Sequence, residues 1–428
     1  MAATSDTPPD GGLKAWLSVL AGFFVIMNSW YVYPSVSFLI QSADKHTRGI
    51  IISFGIFQTY YVSTLNLPPS DISWIGSLAV FLLFFGGIIS GRLTDAGYFR
   101  TTTTLGAFLI VFGCFMTSLS TTYWQLVLAQ GVCIGIGNGC LLTPMMTVVS
   151  TYFGRRLPLA MGIAACGSVV GGLAYTGMAR TLLPTIGFGW TLRAIGFIQL
   201  GTLTLAMVVV RPRQLPPKDE KTLPVVDFTA FREPAFSLFV LGSFLSFMGV
   251  FFGFFYLASY ARDINGMSYT ESLNLLLALN GIGFAGRLLP TPLAKLFGTL
   301  NTFIALILAS ALAMYTWIAV NSTAGLYGWT ALYSIAVGGV QSLMPAAIAV
   351  LNSDLRNVGS RLGIVFGAIG IGSLIGSPIA GGLITAGGGS YVGAQAFSGS
   401  VLATGALLIL LAREIMRKKT RASFWSKV

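Results

Sequence analysis

Long apolar runs alternate with short polar ones along the whole chain. Twelve such runs, at 14–38, 73–92, 102–120, 123–149, 158–180, 186–210, 235–260, 272–297, 300–320, 323–349, 360–386 and 391–412, cover most of it. Each is long enough to cross a hydrocarbon layer as a helix, which satisfies its own backbone polar groups there. The pattern predicts an all-α membrane protein of twelve transmembrane helices. One long polar stretch interrupts it, at 211–233 (RPRQLPPKDEKTLPVVDFTAFRE), with four prolines and nine charged residues. That composition reads as a linker between two six-helix bundles. The expected organisation is a tail at 1–13, a first bundle at 14–210, the linker at 211–233, a second bundle at 234–412 and a basic tail at 413–428.

The two bundles repeat each other. Residues 156–171 (RLPLAMGIAACGSVVG) align without a gap on 361–376 (RLGIVFGAIGIGSLIG) at an offset of 205. Arg156 falls on Arg361, Gly162 on Gly367, Gly167 on Gly372, Ser168 on Ser373 and Gly171 on Gly376. Upstream, Pro144 pairs with Pro345 and Gly137 with Gly338. Parallel repeats of six helices are a construction used by secondary transporters.

Composition sharpens the class. The chain is 54% hydrophobic and 9% charged, against about 25% charged for a soluble domain. A net charge of +12 could point to nucleic acid, but its placement excludes that reading. With the N-terminus inside, 20 Lys and Arg fall on the cytoplasmic side and 5 on the other. The positive-inside rule then puts both termini in the cytoplasm. The first 13 residues are polar and carry Asp6 and Asp10, so no signal peptide is expected. Cys114, Cys133, Cys140 and Cys166 lie inside spans and read as packing residues, and His46 is the only histidine. No metal site, cofactor, nucleophile–base pair or phosphate loop is expected, which argues against an enzyme. The expected partners are a small organic anion or metabolite and the lipid bilayer, with no nucleic acid and with the chain as a monomer.

Several residues stand out against the apolar background. Gly91-Arg92-Leu93-Thr94-Asp95-Ala96-Gly97-Tyr98-Phe99-Arg100 lies between the second and third spans. Its glycines permit a tight turn and close helix approach, and its aspartate can meet a helix N-terminus or neighbouring arginines. Gly91, Asp95, Gly97, Arg100, Arg155 and Arg156 are therefore candidate gating residues. The matching turn of the second half, Leu293-Ala294-Lys295-Leu296-Phe297-Gly298, has lysine where the acid would stand. Gly131, Gly135, Gly137 and Gly139 imply close helix packing in the fourth span. Arg287 is a cation well inside the eighth span, and such a residue faces a cavity or a partner, unless it snorkels to the headgroups. A substrate anion would offset its cost. Arg193 and Arg180 lie nearer span ends, where snorkelling or a gate contact is expected. Asn28, Asn138, Tyr256, Asn280 and Gln341 are polar within apolar spans and are candidates for lining the same cavity, or for interhelical hydrogen bonds. Asn321-Ser322-Thr323 is the sole glycosylation sequon, in a very short loop.

These features converge on a resemblance. The 91–100 loop resembles the signature of the major facilitator superfamily. Asp10-Gly11-Gly12 followed by Trp16, and Tyr152-Phe153-Gly154-Arg155-Arg156 before the fifth span, resemble its monocarboxylate porter family in the fungal branch. The resemblance covers nearly the whole chain. It implies two six-helix bundles alternating access to a central site, and it places the family's substrate-contacting arginine on Arg287. The family's proton-coupling aspartate falls on Gly283 and its first-helix lysine on Ile52, so lactate-type proton symport is not expected. It also implies a plasma-membrane location. The function expected is transport of a small monocarboxylate or other organic anion, with efflux of a fungal secondary metabolite as the alternative and a non-transporting sensor as a further one. Between Trp30 and Ser53 about 18 residues exceed the fungal pattern, and residues 31–52 read either as a retained intron or as a true insertion forming an unusual first loop.

Overall fold

The computed structural model describes residues 8–29, 69–213, 228–351 and 357–420. The predicted insertion at 31–52, Ile52, His46 and most of the linker lie outside these. The described chain is helical, and twelve rods account for it. In the first half they are α1 (Leu13–Ser29), α2 (Pro69–Asp95), α3 (Phe99–Leu119), α4 (Tyr123–Tyr152), α5 (Leu157–Leu183) and α6 (Thr185–Val209). In the second they are α7 (Pro234–Asp263), α8 (Tyr269–Leu288) continued by the short α9 (Pro290–Phe297), α10 (Thr299–Trp317), α11 (Thr323–Leu351), α12 (Val358–Ala386) and α13 (Val392–Thr420). A one-turn 3₁₀ segment, Phe228–Arg232, leads into α7.

The boundaries follow from local chemistry. Pro234 and Pro290 open α7 and α9, where a missing N–H costs nothing. Ser268 and Glu271 form a reciprocal capping box at the start of α8, as Thr122 and Gln125 do for α4. Gly97 turns the chain between α2 and α3 at φ 91°, a conformation that favours glycine. Ten described helices are long and apolar enough to cross a membrane. α8 falls short because it carries Glu271, Asn274, Asn280 and Arg287.

The repeat reappears as repeated contacts. A Cβ on Gly167 or Gly171 of α5 would strike the carbonyls of Phe23 and Met27 on α1. A Cβ on Gly372 or Gly376 of α12 would strike those of Phe244 and Met248 on α7. The same two glycines thus let the same two helices touch in each half. The glycine run of α4 serves both its neighbours: Gly135 and Gly139 face Ala79 and Leu82 on α2, and Gly137 faces Gly106 on α3. The halves meet most extensively where α2 crosses α12, and α5 also packs on α8. At the second, a Cβ on Gly162 would lie 2.7 Å from the Arg287 carbonyl.

Candidate functional site

Where the halves face each other, α1, α2, α4 and α5 from one side and α7, α8, α11 and α12 from the other enclose a cavity of about 60 Å³. The first half contributes an apolar wall, with Ile26, Phe84, Leu142, Met146 and Met161, and Ser168 beside it. The second half contributes the polar end, Arg287, Gln341 and Ser342, together with Phe247, Phe251, Met344 and Phe366. Phe84 and Phe366 meet across the halves at 5.8 Å.

Arg287 is 6% exposed. Its Nη1 donates to the Gly283 carbonyl at 2.8 Å, and its Nη2 donates to Gln341 Oε1 at 3.2 Å. Both acceptors are neutral. The guanidinium folds back over its own helix, and a Cβ at Gly283 would lie 2.9 Å from Nη1. The Gln341 amide nitrogen is buried without a partner. A cation and an unmet N–H donor therefore stand together on one wall, and an oxygen-bearing anion would satisfy both.

Of the six residues read from the sequence as lining this space, the fold brings two together here, Arg287 and Gln341. Asn138 shares a face of α4 with Leu142 and Met146, one turn beyond the cavity lining. It is 1% exposed with both amide atoms unpartnered. Asn28 is tied into its own half: its amide nitrogen donates to Phe24 O (2.7 Å) and Thr202 Oγ1 (2.9 Å), and its oxygen accepts from Tyr175 Oη at 2.5 Å. Asn280 donates to Leu276 O along its own helix. Tyr256 stacks on Phe252 at 5.0 Å and meets Tyr391 edge-on at 6.5 Å, within the second half. The phenylalanines and methionines of the lining were not singled out from the sequence. In a membrane protein such residues also face lipid, so their composition carries no signal.

The end of the molecule that bears the α2–α3 turn is sealed. Gly91 and Gly359 are so close that a Cβ on either would strike the other's carbonyl. Asp95 accepts from the backbone N–H groups of Gly359 (2.9 Å) and Ser360 (2.6 Å) at the start of α12, with the field of Arg92 beside it. A carboxylate at a helix N-terminus is stabilised by unmet N–H donors and by the helix dipole. This cap crosses the interface between the halves. Arg100 instead closes the C-terminus of α6, donating to Met207 O (2.7 Å) and Val210 O (2.9 Å). Arg155 and Arg156 meet Asp10 with their backbones. With Gly154, their N–H groups donate to the Asp10 carboxylate at 2.6–3.2 Å. Trp16 packs edge-on against Phe153 at 5.1 Å. The Asp10–Trp16 and Tyr152–Arg156 motifs, far apart in sequence, are thus one docked unit. By the repeat, Gly154 and Arg155 correspond to Gly359 and Ser360. The same helix start is capped in both halves, by Asp10 within the first and by Asp95 from across the interface in the second. Beside the latter, Arg361 forms a two-pronged ion pair with Glu233, the residue before α7.

Residues 18–291 match the Major Facilitator Superfamily. The chain belongs to that superfamily. An MFS-type transporter of Gibberella zeae is 46% identical over 96% of this chain and 89% of its own length. The aspyridones efflux protein apdF of Emericella nidulans is 32% identical over 97% of this chain and 80% of its own. The agnestins efflux protein AgnL12 of Paecilomyces divaricatus is 35% identical over 85% of this chain and 83% of its own. In fold, the chain is similar to the Escherichia coli fucose:proton symporter FucP, with a TM-score of 0.70 at 16% identity, over 93% of this chain and 98% of that one. The protein is an integral membrane transporter of the major facilitator fold.

The remaining predicted features sit apart from this site. Arg193 lies over the Trp190 ring at 4.9 Å near the start of α6, an arrangement suited to the membrane surface. Asn321 is exposed in the turn between α10 and α11. Lys295 is exposed on α9. Cys114 and Cys133 donate to the carbonyls of Leu192 and Leu109, and all four cysteines are free thiols.

Proposed function

We propose that this transporter exports an acidic, ring-bearing secondary metabolite by alternating access, with the Asp95 seal on the cytoplasmic side of the plasma membrane. The observation that carries this reading is Arg287. It is a buried guanidinium on the wall of a phenylalanine- and methionine-lined cavity, held by neutral oxygens alone. The lining suits flat apolar rings, through aromatic and thioether contacts. Intramembrane cations mark substrate or ion pathways. The efflux proteins among the relatives support the outward direction. The union of the Asp10 and Tyr152–Arg156 motifs into one unit supports membership of the monocarboxylate-porter branch.

Metabolite profiling of cells and medium, with and without the gene, tests the direction and identifies the cargo. An acidic compound trapped inside deletion cells is expected. A compound left unused in the medium would instead mark an importer. Arg287→Ala, checked for normal abundance and localisation, is expected to reproduce the deletion profile. A correctly localised Arg287→Ala protein with full export would remove the anion site.

A further inference from the structure

Among the described residues, the cavity lining carries one formal charge and none of opposite sign. Among the described lining residues, Arg287 is the sole ionisable side chain. Around it, α11 presents Gln341 and Ser342, and α7 presents Phe247 and Phe251, none of which titrates. From α5 the thiol of Cys166 faces the guanidinium. The nearest place for a carboxylate on α8 itself is position 283, one turn back, and Gly283 leaves it empty so that the guanidinium settles on the Gly283 carbonyl. Asp95 lies in the seal between α2 and α12, outside the cavity lining.

From this we infer that the protein is an electrogenic uniporter: it moves one negative charge outward per molecule, driven by the membrane potential and not by a proton gradient. The inference rests on the anionic cargo proposed above. The empty site carries one positive charge, and the site loaded with a monoanion is neutral. In export, the loaded carrier crosses without net charge. The empty carrier returns inward as a cation, in the direction that an inside-negative potential pulls it. A single charge crossing 100 mV gains about 2.3 kcal/mol, which corresponds to roughly a fiftyfold gradient of the anion. The rival is a proton taken up by Asp95 whenever the seal opens, which would tie the flux to the pH gradient.

The test uses the purified full-length chain in liposomes, with 1-naphthalenesulfonate as probe. This is a fluorescent aromatic monoanion too acidic to carry a proton itself. Valinomycin and a tenfold potassium gradient, high inside, set the interior negative by about 59 mV. The final ratio of probe outside to inside does not depend on the orientation of the protein. A ratio of about ten is expected for one charge per cycle. It should stay near one when a pH gradient of one unit is imposed without a potential. A ratio that follows the pH gradient would overturn the inference, whether as proton symport (near one under potential) or as exchange for a proton (near a hundred). No flux above protein-free liposomes would remove the anion site and the coupling with it. Gly283→Asp supplies the missing acid beside Nη1. Anion binding should then require a proton, and the ratio under potential should fall towards one. A functional Gly283→Asp protein that keeps a ratio of ten would show that the charge of the site does not set the coupling.

Discussion

Asp95 and Asp10 are both carboxylates that accept N–H groups at the start of a helix, yet they hold different things. Asp95 joins the two halves, so its bonds must break whenever the sealed end opens. Asp95→Asn keeps the shape and removes the charge. The loss of about 1–2 kcal/mol should raise the population open at that end roughly five- to thirtyfold. Labelling of a cysteine placed at Ser342 by an impermeant maleimide, from the side of the α2–α3 turn and with the native cysteines replaced, reads this directly. Unchanged labelling would deny Asp95 a latching role. Asp10 stays within its half. Burial raises its pKa, but the N–H groups of Gly154, Arg156 and Arg155, with the Arg156 charge, outweigh that and hold it below the usual carboxylate value. A depressed folded pKa contributes stability above the unfolded value of about 3.9, lost as pH falls through the folded one. The N-terminal dock should therefore be insensitive between pH 5 and 8 and release only in stronger acid. Asp10→Ala should cost about 1 kcal/mol, seen as a lower Tm in detergent and earlier proteolysis ahead of α1. An unaltered Tm would mean that the dock contributes no stability.

At the scale of elements, glycine decides which helices touch, and its two uses separate folding from function. Gly167 and Gly171 bring α5 onto α1 inside one half, whereas Gly91 and Gly359 bring α2 onto α12 between halves. A methyl group at any of them would meet a carbonyl and cost about 1–3 kcal/mol of overpacking. Gly167→Ala should lower Tm, because α1 and α5 stay packed in every state. Gly359→Ala should leave Tm nearly unchanged and increase maleimide labelling at the sealed end, because the contact exists in the closed state alone. Equal effects of both variants on Tm would contradict this division. The pairing of Gly167 with Gly372 was visible as sequence repetition. That each reaches the first helix of its own half, by the carbonyls of Phe23 and Phe244, was not.

The whole molecule shows where its halves differ in length. Between the paired contact residues, 110 positions separate Met27 from Gly137, while 90 separate Met248 from Gly338. The first half is longer by 20 residues, and both ends of that interval lie in helices that repeat contact for contact or glycine for glycine. Such an excess matches the stretch read as a retained intron, and we expect mature transcripts that lack about 60 nucleotides within codons 28–60. Uninterrupted message through this interval in every mature transcript would make it a true insertion. The asymmetry of the cavity is a second whole-molecule property. Its one described charge, Arg287, comes from the second half, while the first half contributes Ile26, Phe84, Leu142, Met146 and Met161.

The chain read alone made legible the membrane class, the all-helical major facilitator fold and the duplication, and it singled out Arg287 as a charge inside a span. Each of these depends on local cost: apolar length, turn chemistry and the penalty for a charge in lipid are all paid residue by residue. The tertiary structure decided which polar residues share a site. Arg287 and Gln341 converge, while Asn28 spends its hydrogen-bonding capacity on Tyr175, Thr202 and Phe24. It also decided that Asp95 crosses to the other half and that Arg155 and Arg156 meet Asp10 with their backbone N–H groups. These outcomes depend on where helices distant in sequence come to lie, and in an apolar span the residues facing lipid and those facing a cavity are written in the same letters.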